Sequence, residues 1–404
     1  MTMTGRLGKN AAIPIEGTVA PGFEPMRVMF EENFTARGEV GAACAVYHHG
    51  AKVVDLWGGY RDRARTMPWT EDTRVLMFSA TKCVAAAVMA HSHAKGLFDY
   101  DDRVADHWPT FAQGGKSSVT IRQLLAHQAG LAAIDGTLTP ERIADQPGLV
   151  ESLATKVPDW PPGTRHGYHA WSLGWYESGL LRRTDLKSRT VGAYFAEEIA
   201  TPLGLDFHFG VADDDVGGPI ADITPFGIAD MITSIGGFPW RMVAALANPW
   251  SLTTRALSPF TMRSPAELND PRWRALEIPA GGGIGQVRDV AKLYGILASD
   301  PARMGVNDET VAQLTASPLP PSKGDFDLVL KTGTAFSLGF WKPTRRFAFG
   351  SERAFGAPGA GGAFGFADPA LGLGFAYAPN RMGTALWDDP RDLALRQALE
   401  RCLG

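Results

Sequence analysis

The sequence predicts an α+β fold, an antiparallel sheet flanked by helices with a helical domain inserted into the chain. Strand patterns occur near both chain ends, at residues 41–57 and again after residue 327. Between them, from residue 90 to about 250, the patterns are helical with almost no strand. We therefore predict a discontinuous sheet domain at 1–88 and 255–404, and a mainly helical domain at 89–254.

The N-terminal elements follow from local patterns. An irregular or extended lead-in should precede a helix at 26–37, and residues 41–47 and 52–57 should form a hairpin. His48 and His49 are interpreted as turn residues rather than metal ligands, because no third ligand is near. A small apolar run between Ser79 and Gly96 predicts a helix that begins near the first and ends near the second.

The remaining elements are predicted in the same way. A short amphipathic helix covers 120–127, a rigid Pro-Pro-Gly turn covers 159–163, and 213–215 form a solvated acidic loop. Further helices are predicted at 141–156, 171–183, 191–199, 289–299, 307–316 and 391–402. Strands are predicted at 328–330, 338–341, 347–349, 364–366 and 373–377.

The composition excludes several classes of protein. The formal net charge of −4 gives no basic excess, which argues against a nucleic-acid partner. The three cysteines, Cys44, Cys83 and Cys402, lack metal-site spacing and indicate free thiols in a reducing compartment. We find neither an apolar signal segment nor an apolar run long enough to span a membrane. We therefore expect a cytoplasmic protein without a membrane span, and leave a homo-oligomer open.

Residues 78–82, Phe-Ser-Ala-Thr-Lys, carry the first candidate chemistry. On a helix, Ser79 and Lys82 share a face about one turn apart, so their side chains can meet. Burial lowers the pKa of a lysine, which can then act as a base, and the helix N-terminus favours a serine nucleophile. A capping serine beside a solvated lysine fits the same residues, so the partners must decide.

Two partners are available along the chain. Tyr168 follows the Pro-Pro-Gly turn and precedes a helix, so its phenol is the predicted second proton carrier. The neighbouring His169 ranks second, because its side chain should point elsewhere. Glycines at 355–369 permit a close backbone approach, so an N–H near Ala360 is predicted to form an oxyanion hole with that of Ser79. A core tyrosine and a tight hairpin are the structural alternatives.

Five stretches together resemble the serine β-lactamase and penicillin-binding-protein superfamily, and within it the class C β-lactamase-like family VIII carboxylesterases. They span about residues 25–400 and read Ser79-Ala-Thr-Lys82, Ile121-Arg-Gln-Leu-Leu-Ala-His-Gln-Ala-Gly-Leu131, Tyr168-His-Ala170, Pro279-Ala-Gly-Gly-Gly-Ile284 and Pro358-Gly-Ala-Gly-Gly362. The resemblance implies a serine β-lactamase-like fold and an acyl-enzyme hydrolase acting on a small-molecule ester. It assigns catalysis to Ser79, Lys82 and Tyr168, with no cofactor and no metal.

The chain departs from the lactamase pattern at two positions. Ala170 stands where the family has the asparagine of Tyr-x-Asn, and Ala357 stands where it has the lysine of Lys-Thr-Gly. A literal triplet, Lys331-Thr-Gly333, occurs one or two strands too early. Losing both groups favours neutral short-chain esters over carboxylated lactams. If Lys331 reached the cleft, the lactamase alternative would gain.

Several other motif-like residues have simpler structural interpretations. Ser172 nearly matches a nucleophile elbow but lies in a helical stretch, and residues 281–285 are interpreted as a loop and helix start rather than a phosphate loop. His91 and His93 face different sides of one helix and predict no metal site, and Cys83 is interpreted as a packed small hydrophobe. The predicted substrate-binding residues are Phe78, Trp171, Pro358, Gly359 and Phe364.

Three alternatives to an esterase stay open. The same machinery serves a β-lactamase or D,D-peptidase, and also an amidase or an acyltransferase with a non-water acceptor. A non-catalytic binding protein is the alternative from another class, and the presence of Ser79, Lys82 and Tyr168 together argues against it.

Overall fold

One eight-stranded antiparallel sheet joins the two ends of the chain. The computed structural model describes residues 13–212, 218–227 and 239–404, so the start of the lead-in and the acidic loop at 213–215 lie outside the described residues. The strand order is β1-β3-β2-β11-β10-β9-β8-β7. The strands are β1 Ile15–Val19, β2 Gly41–His48, β3 Ala51–Gly59, β7 Phe336–Ser337, β8 Phe340–Trp341, β9 Phe355–Pro358, β10 Phe364–Asp368 and β11 Leu373–Pro379.

The central pairing of β2 with β11 confirms the predicted α+β fold. It aligns Cys44 with Tyr377 and brings sequence from both ends of the chain into adjacent strands. The predicted β2–β3 hairpin turns at His49 and Gly50, whose φ angles of 48° and 80° suit a tight left-handed turn. A second sheet has the order β4-β6-β5 and consists of β4 Val75–Leu76, β5 Phe207–Phe209 and β6 Gly283–Gly285. The domain boundaries given above stay a prediction.

Helices cover both faces of the sheet and fill the middle of the chain. They span Glu24–Ala36, Thr81–Ala94, Val104–His107, Ile121–Leu125, Pro140–Ala144, Gln146–Thr155, Ser172–Thr184, Val191–Tyr194, Thr201–Leu203, Trp240–Leu246, Leu252–Leu257, Pro271–Arg274, Val287–Ser299, Asp308–Thr315 and Pro390–Leu403. The 3₁₀ turns are Phe78–Ala80, Pro109–Gly115, Pro265–Asn269 and Pro301–Met304. A π-helical turn, Phe195–Ala200, interrupts the helix predicted at 191–199.

Capping explains two helix boundaries. Thr120 and Gln123 form a reciprocal capping box, which starts the short helix at Ile121 as the sequence predicts. The helix predicted at 141–156 is instead two helices, because the Asp145 carboxylate accepts a hydrogen bond from the Gly148 N–H and caps the second one.

Four predictions of local structure were wrong. The strand predicted at 338–341 is a turn at 338–339 between β7 and β8. Residues 328–330 form a turn instead of a strand, because the Asp327 carboxylate accepts the N–H groups of Val329 and Leu330 at 2.7 Å each. Residues 347–349 are also irregular, since Thr344 Oγ1 accepts the Phe347 N–H at 3.1 Å. The predicted loop at 281–285 contains strand β6. At 328–330 and 347–349 the apolar residues therefore indicated burial but not strand pairing.

The helix that carries Ser79 lies at the junction of the sheet and the helical region. We call the 3₁₀ turn Phe78–Ala80 and the helix Thr81–Ala94 together the Ser79 helix. Nearly every residue of Thr81–Ala94 is buried, which fits the small apolar run at its centre, residues 83–90. It contacts the helix Ser172–Thr184 on one side and strands β8 and β9 on the other. Groups from both regions can therefore converge on its N-terminus.

Candidate active site

The turn that presents Ser79 is tied to strand β6. The Met77 N–H donates to the Gly283 carbonyl at 3.0 Å, and the Gly283 N–H donates to Thr81 Oγ1 at 3.0 Å. Phe78, immediately before the serine, is buried and has a φ of 45°, an unusual conformation for a bulky residue. These contacts fix Ser79 at the first turn of the helix, where its side chain is half-buried.

Lys82 lies within hydrogen-bonding distance of Ser79 and of two backbone carbonyls. Its Nζ is 3.2 Å from Ser79 Oγ, 2.5 Å from the Ala170 oxygen and 2.6 Å from the Ala280 oxygen. Carbonyl oxygens only accept, so each takes one N–H of the amine. In a neutral amine the lone pair then faces the Ser79 hydroxyl. Burial lowers the pKa of Lys82 to about 7, which makes this neutral form accessible.

The two carbonyls come together because two segments touch at a glycine. A side-chain carbon on Gly174 would lie 2.6 Å from the Ala280 nitrogen, so the helix Ser172–Thr184 meets the segment at 279–280 with no room for any other residue. This contact gives a structural role to the Pro279-Ala-Gly stretch: Ala280 supplies a carbonyl to Lys82.

Tyr168 lines the same cavity as Ser79. Its ring centroid is 4.9 Å from Lys82 Nζ, and the ring packs against Phe336 and Trp341 with centroid distances of 5.9 and 5.6 Å. Burial raises the pKa of Tyr168, and the nearby Ser79 hydroxyl lowers it to a smaller extent. The phenol therefore carries its proton at neutral pH and can donate it.

His127, to which the sequence analysis assigned no role, clamps the segment that carries Tyr168. Its carbonyl accepts the Gly167 N–H at 3.1 Å, and its Nδ1 accepts the His169 N–H at 3.0 Å. The His169 ring faces away from Ser79, as expected: Nε2 accepts the Leu131 N–H at 3.1 Å, and Nδ1 contacts the Gly167 carbonyl at 2.8 Å. Burial lowers the pKa of His169 to about 3. His127 lies in the second of the five recognised stretches, which was the available signal.

The glycine loop at 359–362 approaches the Ser79 turn directly. A side-chain carbon on Gly359 would lie 2.4 Å from the Met77 oxygen, so only glycine fits there. The Gly359 N–H donates to the Ala363 carbonyl at 2.7 Å and closes the loop. Ala360 lines the Ser79 cavity, and no group in the described parts of the chain accepts its N–H. This N–H is available to a ligand in the cavity.

The cavity beside Ser79 measures about 240 Å³ and is mostly apolar. Of the predicted substrate-binding residues, Trp171 and Pro358 line it. Gly359 packs behind it against Met77, and Phe364 packs in the core against Phe366. Phe78 is buried and does not line the cavity either. The remaining lining side chains include several that the sequence analysis did not name: Phe226, Met242, Leu257, Leu330, Met382 and Leu386.

The two positions that depart from the lactamase pattern lie close to this cavity. Ala170 lines it, and Ala357 is fully buried on strand β9 beside Pro358. Lys331 instead lines a separate groove together with Thr332, Gly333 and Arg346. The literal Lys-Thr-Gly triplet therefore does not contribute to the lining of the Ser79 cavity.

Glu177 is a buried acid that the sequence analysis missed. It lies on the helix Ser172–Thr184, is inaccessible to solvent, and neither carboxyl oxygen has a hydrogen-bond partner in the described structure. Burial raises the pKa of Glu177 to about 8, while the charge of Lys82 lowers it. Conversely, the charge of Glu177 raises the pKa of Lys82 against the effect of burial. The two groups are electrostatically linked behind Ser79.

Potential metal ligands lie elsewhere. Among the residues that the structure describes, His93, Asp99 and Glu309 place potential ligand atoms within 4.8 Å of one another. None of the three lines the Ser79 cavity, and His93 Nδ1 contacts Thr310 Oγ1 at 2.7 Å.

In the described ranges, no helix is long and apolar enough to cross a membrane.

The fold and the Ser79–Lys82 pair are those of a serine β-lactamase-like hydrolase. The chain belongs to the beta-lactamase family, whose profile matches residues 29–400.

Individual relatives agree with this assignment. The chain is 33% identical over 383 residues to "Esterase/beta-lactamase LipL" of Mycobacterium tuberculosis, which covers 93% of this chain and 85% of that protein. A crystal structure of a family VIII carboxylesterase has a TM-score of 0.84 at 34% identity, covering 96% of this chain and all of that one (100%). A penicillin-binding-protein homologue from Caulobacter crescentus has a TM-score of 0.82 at 34% identity, with coverage of 96% and 100%. The predicted family resemblance is confirmed.

Proposed function

We propose that this protein is a carboxylesterase that hydrolyses short-chain acyl esters through an acyl-enzyme on Ser79. The observation that carries the proposal is the position of Lys82 Nζ, 3.2 Å from Ser79 Oγ with its other two contacts taken by carbonyls. A neutral amine in this position accepts the hydroxyl proton of the serine, as an activated nucleophile requires.

Acylation begins when Lys82 takes the Ser79 proton, directly or through Tyr168. Ser79 Oγ attacks the ester carbonyl, and the N–H groups of Ser79 and Ala360 stabilise the oxyanion. As the tetrahedral intermediate collapses, the Tyr168 phenol donates a proton to the leaving alkoxide and is reprotonated by Lys82. An alcohol is released, and the acyl group stays on Ser79.

Deacylation reverses these roles with water as the nucleophile. The Tyr168 and Lys82 pair removes a proton from water, which attacks the acyl carbonyl held in the same oxyanion hole. Ser79 leaves with the returned proton, and the carboxylic acid is released. Burial raises the pKa of Tyr168 and lowers the pKa of Lys82, so the phenol keeps its proton and the neutral lysine is the resting base.

The proposed substrate class follows from the cavity. Its volume of about 240 Å³ and its apolar lining suit a short acyl chain. Ala170 and Ala357 provide neither an amide nor a charge for a carboxylated lactam. The similarity to a family VIII carboxylesterase supports the same choice.

We also propose a cytoplasmic location, because Cys44, Cys83 and Cys402 are all free thiols.

The decisive test compares Ser79→Ala with Ser172→Ala, a matched change at the serine of the near-match to a nucleophile elbow. We expect Ser79→Ala to lose about 10³-fold or more in kcat/KM for p-nitrophenyl butyrate, as nucleophile removal does elsewhere. Ser172 Oγ is buried and donates to the Leu131 and Ala132 carbonyls at 2.7 and 3.4 Å, so its variant should retain most activity. Circular dichroism and Tm verify folding. Full activity in folded Ser79→Ala would disprove the assignment.

A β-lactamase activity is the second candidate, because one relative is named as both an esterase and a beta-lactamase. Nitrocefin hydrolysis measured beside ester hydrolysis on the same preparation separates the two. Preferential turnover of nitrocefin would favour the lactamase. Adding acceptor alcohols or amines, and looking for transfer products, tests the acyltransferase and amidase alternatives.

A further inference from the structure

The Arg391 guanidinium, at the start of the C-terminal helix, uses all five of its N–H donors. Nε and one Nη2 hydrogen bind Asp389 at 2.9 Å each, and one Nη1 hydrogen binds Glu39 at 3.2 Å. The other two donate to the backbone carbonyls of Gly361 and Arg381, both at 2.9 Å. An arginine has five such donors, so none is left over.

The cluster around Arg391 is buried, and two carboxylates surround its single guanidinium. Arg391 is 3% exposed, and both Glu39 and Asp389 are buried beside it. The Tyr377 hydroxyl donates to the second Glu39 oxygen. Because the carboxylates orient the guanidinium, its two remaining donors point in fixed directions.

One of those two donors, the one bound to the Gly361 carbonyl, reaches the wall of the Ser79 cavity. Gly361 and Gly383 both line it, and the Gly361 carbonyl that accepts from Arg391 also accepts the Gly383 N–H at 2.9 Å. A side-chain carbon on Gly383 would lie 1.9 Å from an Asp389 oxygen, and one on Gly362 would lie 2.7 Å from it. The glycines allow both loops to close onto the Asp389–Arg391 pair.

The glycine loop at 359–362 is therefore held from two sides. Gly359 packs on the Met77 carbonyl at the Ser79 turn, while the Gly361 carbonyl is bound by Arg391. Ala360, with its free N–H, lies between these two anchored residues.

We infer that Arg391 is a positioning residue that aligns the Ala360 N–H for the oxyanion. The inference rests on the proposed function, since it presumes acyl transfer on Ser79. Oxyanion donors act by being held in place before the reaction, and misplacement by about 1 Å can cost 10²-fold in rate. Lysine has three donors and no planar fork, so it cannot make the same five bonds.

The experiment pairs Arg391→Lys with Arg396→Lys. Arg396 lies on the same helix, is 4% exposed, and donates to Asp388, Asp392 and the Ala348 carbonyl. None of these partners lines the Ser79 cavity. For each protein we would measure kcat and KM with p-nitrophenyl butyrate, the rate of Ser79 labelling by a serine-reactive phosphonate, and Tm.

We expect Arg391→Lys to lower kcat and the labelling rate about 10- to 100-fold, with KM changed less than about threefold, because the lost alignment acts mainly in the transition state. Arg396→Lys should lower Tm comparably and keep kcat within about twofold. Equal kcat in the two folded variants would overturn the inference. If Arg391→Lys fails to fold, Asp389→Asn, which frees the guanidinium, is judged by the same criteria. Absence of ester hydrolysis and of labelling in the wild type would instead refute the proposed function.

Discussion

Lys82 Nζ lies 3.2 Å from Ser79 Oγ and completes its contacts with the carbonyls of Ala170 and Ala280. This relationship fixes the direction of proton transfer, because the carbonyls can only accept and the serine alone can donate to the amine. It also makes activity depend on the protonation state of one buried group, from which the first prediction follows.

The rate should rise with pH through an acid limb. Burial lowers the pKa of Lys82 to about 7, and only the neutral amine is a base, so kcat/KM should increase up to about pH 7 and then level off. Arginine stays charged, so Lys82→Arg should lose about 10²- to 10⁴-fold. The control is Lys95→Arg at the exposed end of the same helix. A flat pH profile between 5 and 9 in stable wild type would contradict the assignment of the base.

Tyr168→Phe tests the role of the Tyr168 hydroxyl, because it removes only that group and keeps the ring. The ring contacts with Phe336 and Trp341 are kept, so stability should change little while the proton donor is lost. We expect kcat/KM, which reports acylation, to fall about 10²- to 10⁴-fold on an ethyl ester, whose alkoxide needs a proton. The loss should be at least about tenfold smaller on a p-nitrophenyl ester, whose leaving group does not. Equal losses on both esters would argue against a role in leaving-group protonation.

Glu177→Gln should remove the electrostatic coupling between Glu177 and Lys82. Burial raises the pKa of Glu177 from 4.5 to about 8, so between these values the folded protein binds more protons than the unfolded chain, and its stability falls as pH rises. Glutamine removes this dependence, so urea unfolding at pH 5 and pH 8 should differ less in the variant.

The same variant should move the acid limb of kcat/KM to lower pH, because the charge of Glu177 raises the pKa of Lys82. Glu177→Asp, which keeps a carboxyl group, is the matched control. An unchanged limb in Glu177→Gln would show that the acid is only structural.

Leu330→Ala should lengthen the acyl chain that the enzyme accepts. Leu330 is buried and lines the cavity, so its truncation opens space next to Ser79. We expect the ratio of kcat/KM for p-nitrophenyl octanoate over butyrate to rise about tenfold, a typical effect of a few methylenes in an apolar pocket. Leu314→Ala, buried but outside the cavity, should lower Tm without changing this ratio. If the two variants gave the same ratio, the cavity would not be the acyl site.

The sequence by itself determined what depends on neighbours along the chain. Three-residue spacing on a helix brings Ser79 and Lys82 together, and alternation with a left-handed turn defines the β2–β3 hairpin. Five short stretches in order also identified the family, which the profile match over 29–400 confirms. Such signals survive because their geometry is set within one turn or one hairpin.

Only the tertiary structure decided the contacts between distant segments. Lys82 donates to the Ala280 carbonyl, 198 residues further along the chain, and Arg391 of the C-terminal helix donates to the Gly361 carbonyl in the glycine loop. Neither contact produces a periodic pattern in the sequence. Apolar runs at 328–330 and 347–349 indicated burial but were wrongly predicted as strands, because their backbone N–H groups donate to the side chains of Asp327 and Thr344 instead of to a neighbouring strand. Glu177 was missed because a charged residue on a helix is usually solvated, and only packing removes the water.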